Sequence, residues 1–165
     1  MKNVLLALDL SEYAQTIALH TAELAQRAEA RLILFYAFTP ASPTEDEASC
    51  PPNERCIQAS LDNLAHRLHQ QTRVSVTRLV KPGIPPAVIF EVANGVKADL
   101  VVICRNNCAC TAAITVAPPL AVQINYKQVP VLTVATSADP LMIKAALAQH
   151  IHLPDCTASS RLDNL

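Results

Sequence analysis

Apolar and polar positions alternate in blocks along most of the chain, and the blocks predict a regular order of elements. Lys2 to Leu8 is almost continuously apolar, as expected of a strand buried on both faces. Ser11 is placed to cap a helix and Glu12 puts an acid in its first turn. Ile17, Leu24 and the alanines between them then give a helical apolar face to about Ala28. Arg31 to Phe38 reads as a second strand. Thr39 to Asn53 is crowded with prolines and acids and reads as a loop. Ile57, Leu61, Leu64 and Leu68 mark a second helix over Glu54 to Gln71, and Val74 to Val80 a third strand. Pro85 and Pro86 suit the first turn of a third helix, which runs to about Val96. Asp99 to Ile103 is a fourth strand.

Pro118-Pro119 interrupts the next segment. A mid-helix proline costs about 3 kcal/mol, so a fourth helix is expected to begin at Pro118 and run to Tyr126. Val129 to Ala135 is expected as the last strand. Pro130 lacks an N–H and places that strand at a sheet edge, or paired only on one side at that point. Five strands joined by right-handed crossovers give an α/β fold, a doubly wound open parallel five-stranded sheet with helices on both faces. The domain is expected over 1–136. The stretch 137–165 is a C-terminal extension, with a helix over Pro140 to His150 followed by a polar end.

In such a sheet, ligands bind at the carboxyl ends of the strands. The loop after the fourth strand reads Cys104-Arg105-Asn106-Asn107-Cys108-Ala109-Cys110 and contains no glycine, although a phosphate loop needs backbone N–H groups to approach the anion closely.

Three motifs carry a family resemblance. Asn3-Val4-Leu5-Leu6-Ala7-Leu8-Asp9-Leu10-Ser11-Glu12 is similar to the first strand and helix start of the universal stress proteins. Gly83-Ile84-Pro85-Pro86-Ala87-Val88-Ile89 resembles the entry to their third helix. Ala98-Asp99-Leu100-Val101-Val102-Ile103, followed some two dozen residues later by Val129-Pro130-Val131-Leu132-Thr133-Val134, resembles their last two strands. The resemblance covers roughly residues 2 to 136. It implies a Rossmann-like, adenine nucleotide alpha hydrolase-like fold, and in many members ATP bound by a Gly-x-x-Gly loop and a Gly-Ser pair. An ungapped reading sets Cys104 and Asn107 on the two loop glycines and Ala117-Pro118 on the Gly-Ser pair. All four positions depart from the pattern, so triphosphate binding is expected to be lost. Asn106 and Asn107 reach left-handed backbone angles more readily than most residues, which leaves room for a reshaped loop. The resemblance also places Asp9 and the Ala37 backbone beside the nucleoside. The competing reading of Asp9 is a turn completed with Ser11 at the helix start.

Apolar residues make up 51% of the 165 and charged residues 16%, with a net charge of −1. This balance fits a globule and carries no basic stripe, so neither nucleic acid nor an anionic membrane is an expected partner. No apolar run reaches membrane-spanning length and no signal-peptide layout opens the chain, so a cytoplasmic location is expected. In that compartment the six cysteines are expected as thiols. Cys104, Cys108 and Cys110 invite a metal or redox reading. Their spacing fits no standard zinc site, and a fourth ligand would have to come from His150, His152 or Cys156, so no metal and no cofactor is expected. His20, His66 and His69 fall on helix patterns. Neither a Gly-x-Ser-x-Gly elbow nor a Walker loop occurs. The leading expectation is a non-catalytic, regulatory or protective protein that resembles universal stress proteins. It would not bind ATP, and would act through homodimerisation on the Val129–Val134 edge strand and through protein partners. The alternative is a small-molecule or nucleotide (AMP, adenosine or ATP) binding module that uses the crevice near Asp9.

Overall fold

A computed structural model describes residues 1–38, 54–83, 85–105, 121–126, 129–135 and 140–149. Its elements follow in the order β1 (Asn3–Ala7), α1 (Glu12–Arg27), β2 (Arg31–Phe38), α2 (Glu54–Thr72), β3 (Val76–Pro82), α3 (Pro85–Gly95), β4 (Leu100–Arg105), β5 (Ala121–Tyr126), β6 (Val129–Ala135) and α4 (Pro140–Ala148). They form one six-stranded sheet in the order β3-β2-β1-β4-β6-β5. The five parallel strands are those the apolar runs predict, and the order reverses direction between β1 and β4.

The sixth strand corrects the sequence reading. Residues 121–126, expected as the end of a helix, form β5, antiparallel to β6 with Ala121 opposite Val134 and Tyr126 opposite Val129. The cause lies in the sequence. Val122, Ile124 and Tyr126 alternate with Gln123 and Asn125, a period of two made from strong strand formers. Lys127 and Gln128 leave the two-residue spacing that suits a hairpin. It follows that β6 is not the edge strand on which the dimer was expected to form. It lies between β4 and β5. Pro130 behaves as its chemistry requires: it is registered with Asn125 of β5, while pairing with β4 starts only at Val131.

The alternation along each strand divides the core into two layers. Leu6, Leu34, Val102 and Leu132 face α1 and α2, whereas Leu5, Phe35, Val101 and Val131 face the α3 side. α4 joins the first layer. Its Ile143 and Leu147 are 3% and 2% exposed and sit in the same cluster as Ile17, Leu24 and Val134. The helix expected in the C-terminal extension is therefore present and shares the core of the preceding sheet. The amino end of the sheet is tied by Asp99, whose Oδ2 accepts the backbone N–H groups of Lys2 (2.6 Å) and Asn3 (2.9 Å). Asp99 N–H donates back to the Asn3 carbonyl at 2.8 Å, so this motif aspartate sews β4 to β1.

Candidate functional site at the carboxyl end of the sheet

β1 runs out at the reversal of strand order, the position at which an open α/β sheet leaves a crevice. Leu8 N–H still donates to the Phe35 carbonyl (2.9 Å), after which the chain turns into α1. Leu10 takes a left-handed φ of 59°. Asp9 builds this turn. Its Oδ1 accepts from both the Ser11 N–H (3.0 Å) and the Ser11 hydroxyl (2.7 Å). The same hydroxyl accepts the Ala14 N–H at 3.3 Å, capping the helix. The turn reading of Asp9 is thus seen directly, yet it occupies only half of the carboxylate. Oδ2 is buried and has no hydrogen-bond partner among the described residues. A buried acceptor without a donor is costly and uncommon, and this one lies at the expected crevice.

Two further groups share the Asp9 environment. Cys104, near the end of β4, is 6% exposed. Its thiol is held well above the ordinary range, first by burial and then by the Asp9 carboxylate. Such a thiol keeps its proton, which is the opposite of an activated nucleophile. Tyr36, in β2, has its phenol raised by the same two causes in the same order. Sequence reasoning missed Tyr36. The available signal was its place one residue before Ala37, at the end of a strand beside β1. Ala37 is half-buried on the α3 side, in register with Lys81. A second orphan, Thr133 Oγ1, lies in β6 beside Ile103 of β4 and was also missed.

The structure therefore brings Asp9 together with Cys104 and adds Tyr36, while Ala37 lies further along β2. The other expected site residues, Asn106, Asn107 and Pro118, lie outside the described residues, as do Cys108, Cys110, His150, His152 and Cys156. Among the described residues no group of three potential ligands is arranged to hold a metal ion. The three helical histidines are engaged locally: His20 with Glu23, His66 with Gln70, and His69 with the Val74 carbonyl. No helix of the described residues is long and apolar enough to cross a membrane.

A doubly wound sheet with a carboxylate just past the end of β1, where the strand order reverses, defines a class of α/β domains. Comparison with known proteins narrows the class. The model of the universal stress protein family matches residues 1–106, and the chain belongs to that family. The match covers β1 to β4 and ends where the glycine-free loop begins. No curated protein matches the chain. Among solved structures, a universal stress protein in complex with cAMP superposes with a TM-score of 0.52 at 21% identity, over 68% of this chain and 81% of its own. A universal stress protein from Archaeoglobus fulgidus in complex with dAMP gives 0.55 at 16% identity, over 69% and 89%. Another from the same organism gives 0.53 at 15% identity, over 69% and 85%. These superpositions show a shared fold.

Proposed function

We propose that this chain is a non-catalytic, regulatory universal stress protein whose crevice takes a nucleoside or nucleoside monophosphate through Asp9, without a dedicated triphosphate site. The observation that carries the reading is the buried Oδ2 of Asp9 at the switch point, which has no hydrogen-bond partner among the described residues. It is an acceptor awaiting a donor such as an amino or ribose hydroxyl group. Two structural neighbours, bound to cAMP and to dAMP, hold ligands of this class. Against a triphosphate stands the sequence itself: the only glycines are Gly83 and Gly95, so no glycine follows β4. The Cys104 thiol, pushed up by burial and by Asp9, is not an activated nucleophile.

Regulation of this kind needs a partner that reads the ligand state. A homodimer in the cytoplasm is the arrangement we favour, with the contact moved from β6 to β5. β5 pairs with β6 alone among the described strands, and an unpaired edge invites a second copy. Calorimetry of the reduced protein with adenosine tests the site. Asp9→Asn keeps an oxygen but removes the charge, and is expected to weaken adenosine by about tenfold or more. Equal affinity in the variant overturns the assignment. Sedimentation analysis tests the dimer independently.

A further inference from the structure

A second cavity lies at the opposite, amino end of the sheet. It has a volume of about 600 Å³, within the range of small-molecule sites. Lys2, Arg31 and Arg73 line it together with Asn3, Glu29 and Ser75. The sheet fixes this grouping, since Arg31 is registered with Asn3 and its N–H donates to the Lys2 carbonyl, while Leu32 N–H donates to the Ser75 carbonyl. The three cations are exposed, and none has an ion-pair partner among the described residues. The carboxyl ends of α1 and α2 lie at this end of the sheet and contribute roughly half a negative charge each. With Glu29 they offset two of the three cations, and the Asp99 carboxylate stands on the Lys2 and Asn3 N–H groups beside the lining, so the attraction for an anion rests on the donor forks of Arg31 and Arg73 and not on a large net charge. Arg73 holds φ at 60° as the left-handed residue that ends α2, as Glu29 does after α1, so the helix cap fixes where its backbone enters the cavity wall.

From this convergence we infer that the cavity is a binding site for a compact phosphate anion, separate from the Asp9 crevice. Guanidinium forks match phosphate oxygens in pairs, and the ammonium of Lys2 supplies a mobile third donor. The Ser75 hydroxyl lies within the same lining for a remaining oxygen, while the Asn3 side-chain amide is held by the Val96 and Lys97 carbonyls and shapes the wall.

The test is titration of the full chain with inorganic pyrophosphate, and separately with ribose 5-phosphate, at low ionic strength, read by amide chemical shifts. Saturable shifts are expected at Lys2, Asn3, Arg31, Arg73 and Ser75, and raised salt should weaken them. The tighter of the two ligands tells whether the site prefers a free polyphosphate or a phosphate ester. Arg31→Gln combined with Arg73→Gly should lower affinity more than about tenfold. Arg73→Gly relieves the left-handed backbone, so its unfolding midpoint should not fall, and loss of binding then cannot be ascribed to misfolding. The inference is overturned if neither ligand saturates, if the shifts fall at Asp9 to Ser11 instead, or if the double variant binds as the parent does.

Discussion

Leu147→Ala asks whether α4 is part of the fold or an appendage. Leu147 is 2% exposed and belongs to the cluster that includes Ile17, Leu24 and Val134. Removing its outer carbons forfeits about 2 kcal/mol of transfer free energy, and the space left among partly rigid neighbours raises the cost to about 3–5 kcal/mol. Helix propensity works the other way by only a small amount, because alanine is the better helix former. The expected loss is a large share of the roughly 5–15 kcal/mol that holds a domain of this size together. Urea unfolding followed by far-ultraviolet circular dichroism measures it. The midpoint should fall sharply while the slope stays constant. Lys144→Ala on the same helix is the control. Its ammonium lies 3.7 Å from Glu23, with the Lys144 side chain exposed and Glu23 half-buried, so its loss should cost less than about 1 kcal/mol. If Leu147→Ala cost under about 0.5 kcal/mol, α4 would not rest on α1 and the core would end with β6.

Further expectations concern caps and titration. Arg73 and Lys97 follow α2 and α3 with φ of 60° and 51°. Glycine at either position should stabilise by about 0.5–1 kcal/mol, since the left-handed penalty outweighs the added chain entropy; thermal melts check each substitution. Ser11→Ala removes the cap on Ala14 and a donor to Asp9, and should cost about 1 kcal/mol in a denaturant melt. The thiol of Cys104 is raised in the fold, so it stabilises fully below the unfolded thiol pKa of about 8.5 and progressively less above it. Stability should therefore fall as pH rises beyond about 8.5, by up to about 1.4 kcal/mol per unit for this one proton, and Cys104→Ala should flatten that slope. Peptide-level alkylation at pH 8 should label exposed Cys56 and spare buried Cys104.

The central parallel strands were legible because they are buried on both faces and write themselves as unbroken apolar runs, whereas β3, at the sheet edge, is only partly buried. Val4 to Leu8 and Leu100 to Ile103 show this plainly. β5 was not legible by that rule. Its alternation competes with a helix pattern over so short a span, and the preceding proline pair suits a helix start as well as a loop. At the site, Asp9 and Cys104 were visible because the motifs of β1 and β4 mark the strand ends. Tyr36 and Thr133 were not. Each looks like an ordinary strand residue until the register sets it near a carboxylate, or buries its hydroxyl without a partner. The cavity at the amino end was invisible for a similar reason. Lys2, Arg31 and Arg73 are far apart in sequence, and only three adjacent parallel strands bring them together.

The most direct test of the proposed function is a calorimetric comparison of adenosine, AMP and ATP, with and without Mg²⁺. The account predicts saturable binding of adenosine and AMP, with ATP no tighter than AMP, because the contact that matters is made by Asp9 and the phosphates meet no glycine loop. Binding of magnesium ATP more than about tenfold tighter than AMP, a gain of about 1.4 kcal/mol from the added phosphates, would contradict it. So would the absence of any adenosine binding.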